Sequence, residues 1–285
     1  MRIVLLGEDH FTAAVLQSLR DHGHEIAVVI CPLYPGNQEY RTLEKRTRDN
    51  GIGFLHVADV NTDEIADLLL RIDADLLLSV HCRKILHPKI FRLSRCGAVN
   101  VHPSLLPKYR GLSPQHQTLI HGDTETGVTI HFIDSGVDTG DILITETIPI
   151  SPQTYIYELQ IKMLTVYKYL VPNAMKLIET GNPTTRPQEK GGSSWYGALT
   201  HRDREIDLKK TKFENYNLIR AVSKPYKGAW HDNTTIWTAV IADPAAEQEL
   251  LKEFNTIGIF PVQDKLVIRL HDGILLSDDF EIAST

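Results

Sequence analysis

Apolar and polar positions in the first hundred residues follow two alternating rhythms. RIVLLG (2–7), EIAVVIC (25–31) and DLLLSV (75–80) are short, nearly unbroken apolar runs, the pattern of strands covered on both faces. Between them, FTAAVLQSLRDHG (11–23), YRTLEKRTRDNG (40–51) and DEIADLLLRID (63–73) space their apolar residues three and four apart, which predicts amphipathic helices. GFLHV (53–57) reads as a further strand, HPKIFRLSR (87–95) as a short helix and GAVNVH (97–102) as a strand. Strands that alternate with helices predict an α/β fold: a Rossmann-like, mostly parallel sheet with helices on both faces.

Past residue 102 the rhythm changes. PQHQTLIHG (114–122) predicts a helix, TGVTIHFID (126–134) and DILITETIPI (141–150) predict strands able to pair in antiparallel fashion, and a long helix follows over 155–179. TGNPTTRPQEKGGSS (180–194) then crowds Gly, Pro, Ser and Thr into one segment, the composition of a linker or surface loop. A domain boundary near residue 200 follows. Beyond it lie a helical run at 214–223 and the strand-like runs TTIWTAVIA, GIFPV, KLVIRL and GILLSDDF. Their close spacing predicts a small β-rich, barrel-like (OB-like) domain over 201–285 after a main domain over 1–200.

Bulk properties narrow the function. The 285 residues are 42% hydrophobic and 23% charged, ordinary values for a soluble globular chain. No apolar run approaches the roughly 20 residues that a membrane-spanning helix needs. MRIVLLGEDHF meets a glycine and acidic residues with no small-residue cleavage site, so it reads as a first strand and not a signal peptide. Three cysteines without CxxC spacing predict neither a disulfide framework nor a zinc site, and fit a reducing cytoplasm. A net charge of −6 disfavours a polyanionic partner while leaving room for a small phosphorylated ligand. LLGEDHF keeps only Gly7 of a dinucleotide fingerprint, which argues against a nicotinamide or flavin. With no HExxH or paired Cys/His spacing, no metal is expected.

The candidate chemistry starts at NVHPSLLPKYRG (100–111). Strand alternation puts Asn100 and His102 on one face, at the carboxyl end of a strand, where open α/β sheets bind ligands. After the apolar run GVTIHF comes IDSGVDTGD (133–141). If that loop folds back, Asp138 meets His102. Amide, imidazole and carboxylate together suit attack by an amine on a carbonyl carbon: the imidazole takes the proton, the amide binds the developing oxyanion, and the carboxylate orients the imidazole. Taken singly, His102 is compatible with a structural histidine and DSGVDTGD with an acidic turn.

NVHPSLLPKYRG, GDTETGVTIHFID and GVDTGD together resemble the signature of folate-dependent formyltransferases, and the similarity runs nearly end to end. It implies transfer of a formyl group from N10-formyltetrahydrofolate by the 1–200 domain, with Asn100, His102 and Asp138 as the catalytic residues. SVHCRKIL (79–86) is similar to the family segment that holds the pterin, partly through backbone groups. That implies cofactor contacts from His81, Arg83, Lys84, Ile85 and Leu86, with Asp134, Gly136, Val137 and Asp141 from the acidic loop. Ser104, Lys108, Tyr109 and Arg110 are the candidate substrate contacts, the last three being equally compatible with a solvated surface. YNLIRAVSKPYKGAW (216–230) resembles the helix and turn that enter the family's small barrel domain, with Arg220 placed to anchor it.

Among family members the chain is most similar to sugar N-formyltransferases of the UDP-4-amino-4-deoxy-L-arabinose formyltransferase kind. This implies a nucleotide-linked amino sugar as substrate, a homodimer, and a product destined for lipopolysaccharide or another glycan. CPLYPGNQEYRTLEK (31–45) is shorter and less basic than the corresponding loop of methionyl-tRNA formyltransferases, which remain the alternative. A non-catalytic folate- or nucleotide-binding module is a further alternative, against which the intact trio argues. Neither nucleic acid nor membrane is an expected partner.

Overall fold

The apolar runs of the amino-terminal half become buried strands, and the helical runs cross between them. The computed structural model describes residues 1–34, 40–189 and 191–283, so the centre of the CPLYPGNQEYRTLEK loop lies outside the described residues. In chain order the first elements are β1 (Arg2–Gly7), α1 (His10–Asp21), β2 (Glu25–Pro32), α2 (Tyr40–Asp49), β3 (Gly53–Val57) and α3 (Asp63–Ile72). Then come β4 (Leu76–Val80), α4 (Pro88–Phe91), β5 (Ala98–His102), the two-residue β6 (Arg110–Gly111), α5 (Pro114–Ile120), β7 (Glu125–Phe132), β8 (Ile142–Pro149) and α6 (Ile156–Glu179).

Seven of these strands form one sheet in the order β3-β2-β1-β4-β5-β7-β8. The pairings β3-β2, β2-β1, β1-β4 and β4-β5 are parallel, and β7 joins β5 antiparallel. The strand order reverses between β1 and β4, which opens a crevice beyond their carboxyl ends. Val4, Leu6, Val28, Ile30, Leu77 and Ala98 form a core with Ile65, Leu69, Ile90 and Phe91. The expected mostly parallel sheet with crossing helices is thus the observed one, because strands buried on both faces carry a strong apolar signal.

Contacts divide the chain into two units. The first holds Met1–Leu112, Gly127–Ile148 and Lys162–Trp195, and the second holds Ser113–Thr126, Pro149–Ile161 and Tyr196–Thr285. The last passage between them falls at Trp195 and Tyr196. Two earlier segments belong to the second unit as well, an arrangement a single cut along the chain does not express.

The carboxyl-terminal elements are β9 (Trp195–Tyr196), a 3-10 turn, α7 (Lys212–Val222), β10 (Ala229–His231), β11 (Thr234–Ile236), β12 (Val240–Ile241), α8 (Pro244–Glu253), β13 (Gly258–Val262), β14 (Lys265–Leu270), β15 (Gly273–Ser277) and β16 (Phe280–Ile282). Strands β10 to β16 build two small sheets, β10-β11-β16 and β12-β15-β14-β13, with antiparallel pairing throughout. TTIWTAVIA reads as one strand in sequence but is two in the structure. Trp237 donates its N–H to the Asp279 carbonyl and Ala239 donates to the Tyr155 hydroxyl, which turns β11 out of one sheet and β12 into the other. Helix α8 is absent from the sequence reading. Its start is nonetheless chemical: Asp243 accepts from the N–H groups of Ala245 and Ala246, and Pro244 occupies the first turn, where a missing N–H costs nothing. Arg220, on α7, is buried and donates to the Thr154 carbonyl at 3.0 Å within this same unit. Among the described residues no helix is long and apolar enough to cross a membrane.

Candidate active site

Strand β5 carries the first two groups. Its register places Asn100 directly opposite His131 on β7, and His102 opposite Thr129. Cross-strand partners share a face, and the Asn100 Nδ2 amide lies 3.3 Å from His131 Nε2. His131 Nδ1–H donates to the Phe132 carbonyl at 2.8 Å, so Nε2 is the acceptor of the Asn100 N–H. After β7 the acidic loop turns back. Asp134 closes it by accepting from the Gly136 N–H at 3.0 Å and from the Thr139 hydroxyl at 2.6 Å. Gly140 packs so closely that a Cβ there would lie 1.9 Å from the Phe132 carbonyl oxygen. Between these points Asp138 takes a left-handed backbone with φ of 52° and turns its carboxylate toward β5.

Three polar side chains converge on that carboxylate. Asn100 donates its second amide hydrogen to Asp138 Oδ1 at 3.3 Å, His131 Nε2 lies 3.5 Å from the same oxygen, and His102 Nδ1 lies 3.6 Å from Oδ2. The Gly111 N–H donates to Oδ2 at 2.8 Å. His102 is 3% exposed and its Nε2–H donates to the Tyr109 carbonyl at 2.8 Å, which leaves the lone pair of the neutral ring on Nδ1, facing Asp138. A proton taken up at Nδ1 therefore lands between ring and carboxylate.

Burial holds His102 below the ordinary imidazole value of 6.5, against the upward pull of Asp138. For Asp138, burial acts to raise the carboxyl, but attraction to the His102 and His131 rings when they carry a proton, together with the Gly111 N–H, outweighs it and holds the group well below the usual carboxylate range. The resting pair is a neutral imidazole beside an ionised carboxylate. A base whose protonated form is stabilised only once it takes a proton is what amine deprotonation calls for.

The substrate-contact candidates frame this cluster. Ser104 is fully buried and donates its hydroxyl to the Lys108 carbonyl at 2.7 Å, bracing its own loop. Lys108 is exposed. Tyr109 is buried with a positive φ of 61°, and its N–H donates to the Ser194 hydroxyl at 2.8 Å. Arg110 donates through Nε and Nη2 to Gln188 Oε1 at 3.2 and 2.7 Å. Gln188 Nε2 in turn lies 2.8 Å from the carbonyls of both Asp138 and Gly140, so the KYRG turn and the acidic loop share a brace. His131, Gly111 and Gln188 are missing from the sequence-derived set. For His131 the signal was present in TIHF, whose alternation faces it with Thr129.

The cofactor candidates separate into two groups. Arg83 and Lys84 lie against the Tyr34 ring, 4.2 and 5.4 Å from its centroid, and Ile85 is 62% exposed. Leu86 packs into the core, which leaves its backbone for any ligand. The His81 ring is held at both nitrogens, by Asp9 and Tyr167. Gly136 and Val137 lie in the acidic loop beside Asp134, and Asp141 accepts from Thr185 at 3.4 Å. Among the described residues no three His, Cys, Asp or Glu side chains converge on a metal-sized point.

The Formyl transferase family profile matches residues 1–175. A methionyl-tRNA formyltransferase of Ruminiclostridium cellulolyticum is 28% identical over all of this chain and 93% of its own length, and one of Agathobacter rectalis is 30% identical over 87% and 83%. Among solved structures, WlaRD, a sugar 3N-formyl transferase, superposes with a TM-score of 0.74 at 23% identity over 97% of both chains. An N-formyltransferase from Helicobacter canadensis gives 0.74 at 22% identity over 96% and 97%. With a matching profile over more than half its length and an amide, an imidazole and a carboxylate gathered at the end of β5, the chain belongs to the formyl transferase family and is an enzyme of formyl transfer.

Proposed function

We propose that this protein is a sugar N-formyltransferase that moves a formyl group from N10-formyltetrahydrofolate to the amino group of a nucleotide-linked amino sugar. The observation that carries the reading is the convergence of Asn100, His102 and Asp138 within hydrogen-bonding or ion-pairing range. The folate co-substrate supplies an activated formyl carbon. His102 Nδ1 receives the proton released as the amine nitrogen bonds to that carbon, and Asp138 stabilises the imidazolium so formed. Asn100 meets the formyl oxygen as it gains negative charge, exchanging one of its long 3.3 Å contacts for a charge-assisted bond. The proton on His102 then goes to the departing folate nitrogen as its bond to the formyl carbon breaks.

Residues 1–200 carry this chemistry in our reading, and 201–285 form the smaller companion domain of a cytoplasmic homodimer. Two points favour a nucleotide sugar. The chain is acidic overall, with a net charge of −6. Its structural neighbours include one described with dTDP and 5-N-formyl-THF and one with folinic acid and dTDP-3-aminofucose. A second reading, methionyl-tRNA as acceptor, is favoured by the names of the sequence relatives.

Incubation with N10-formyltetrahydrofolate and a panel of UDP-, dTDP- and GDP-linked amino sugars, beside methionyl-tRNA, decides between them by mass spectrometry. Formylation of one amino sugar, with weak dependence on salt, supports the proposal. Formylation of methionyl-tRNA alone, falling steeply with salt, replaces it with the second reading.

A further inference from the structure

At the crevice between β1 and β4 a second polar network lies apart from the cluster around Asp138. Asp9 caps α1, accepting from the Thr12 N–H at 2.9 Å through Oδ1, while its Oδ2 lies 2.6 Å from His81 Nδ1. On the other side of the ring His81 Nε2 lies 2.8 Å from the Tyr167 hydroxyl, and Tyr167, from α6, is fully buried. Because the carboxylate only accepts, His81 Nδ1–H donates to Asp9, and in the neutral ring Nε2 accepts from the Tyr167 O–H. Phe11 packs on both rings, 4.6 Å from His81 and 5.2 Å from Tyr167.

The imidazole so held sits at a strained point. His81 has a left-handed φ of 54°, a conformation that costs a non-glycine residue energy and persists only where its surroundings impose it. The start of α1 is pressed against the end of β4 as well, since a Cβ on Gly7 would lie 2.2 Å from the Thr12 hydroxyl oxygen and 2.7 Å from the Val80 carbonyl. The neighbouring carboxylate repeats the motif: Glu8, 4% exposed, accepts from Arg83 Nε at 2.5 Å, and the Arg83 guanidinium lies over the Tyr34 ring. Two consecutive carboxylates from the end of β1 thus grip His81 and Arg83, two residues apart on the segment that leaves β4.

We propose that Asp9 and Tyr167 are positioning residues that act through His81, locking the 81–86 segment in the shape that receives the formyl donor. His81 itself spends both ring nitrogens on this lock and offers neither to a ligand. The proposal rests on the reading that residues 81–86 hold formyl-folate. Donor affinity therefore depends on a buried hydroxyl and a helix-capping carboxylate.

The test uses the full chain and two variants, Tyr167→Phe and Asp9→Asn. Tyr167→Phe deletes one oxygen and keeps the ring that packs on Phe11. Calorimetric binding of 5-formyltetrahydrofolate should weaken about tenfold in each, and the donor KM should rise with it. The KM of whichever amine the wild type formylates should stay within about twofold, since the lock does not touch that side. Wild-type donor affinity in Tyr167→Phe overturns the proposal, and so does an equal rise in both KM values, the mark of a merely structural residue. Should Asp9→Asn fail to fold, Tyr167→Phe decides alone. Failure of the wild type to bind 5-formyltetrahydrofolate overturns the folate reading and this inference together.

Discussion

Gly111 donates its N–H to Oδ2 of Asp138 at 2.8 Å, so the backbone of the KYRG turn and the carboxylate of the GVDTGD loop act as one unit. The same oxygen faces His102 Nδ1 at 3.6 Å.

Asp138→Asn keeps the shape and removes the charge that stabilises a protonated His102. We expect kcat/KM to fall about 10²- to 10³-fold with an unchanged circular dichroism spectrum. Asp138 pulls the His102 pKa up against burial, so its loss shifts the acid limb of the residual activity to lower pH. An acid limb that moves to higher pH contradicts the assignment.

His131→Ala leaves one amide hydrogen of Asn100 without its ring acceptor. Turnover should fall about tenfold through loss of orientation, with donor affinity retained. Steady-state kinetics beside a binding titration separates the two.

Gln188→Ala deletes the brace between the Asp138 and Gly140 carbonyls and Arg110. About 1–3 kcal/mol of stability should go with it, read by urea denaturation, and kcat should drop by about tenfold as Asp138 loosens. Full activity in this variant shows that the acidic loop holds its shape unaided.

Gly140→Ala puts a methyl group 1.9 Å from the Phe132 carbonyl oxygen, a clash that only backbone movement relieves. The expected cost is about 1–3 kcal/mol. Gly191→Ala is the control, because a Cβ there meets nothing within 4 Å. Equal melting temperatures for the two variants rule out the close approach.

Acid should destabilise the fold before its carboxylates titrate. Burial depresses both His102 and His116 below the ordinary value of 6.5. The unfolded chain binds those protons more readily, so stability is highest above pH 6.5 and declines as pH falls from there toward the folded values. Asp138 is also depressed, from 3.8, and its contribution is lost only at more acid pH. Urea midpoints at pH 8 and pH 5 should differ, and His116→Asn should narrow the gap; a midpoint that rises on acidification contradicts the burial of neutral rings.

The parts of the fold legible in sequence are those where burial and period coincide. β1, β2 and β4 are apolar over nearly all their length because helices and neighbouring strands cover both faces past the exposed Arg2 and Glu25, and the period of two in NVH is enough to put Asn100 and His102 on the same side of their strand. Helix α8 was not legible. None of its residues is fully buried and only Leu250 and Leu251 pack on the core of the small sheets, so its apolar signal is short, and the capping chemistry of Asp243 and Pro244 is the clearer mark of it. TTIWTAVIA has the composition of one strand, and its break depends on what Trp237 and Ala239 meet in space.

The site divides along the same line. Local order alone determined that an amide, an imidazole and a flexible acidic loop would lie at strand ends, because strand geometry and turn chemistry act over a few residues. Only the tertiary structure decided that His131 faces Asn100, that Gln188 from a linker-like segment braces Asp138, and that Tyr167 reaches His81. Those pairings join residues far apart along the chain, and they depend on the register of β5 against β7 and on the packing of α6, which are set by the burial of the whole sheet rather than by any short stretch of sequence.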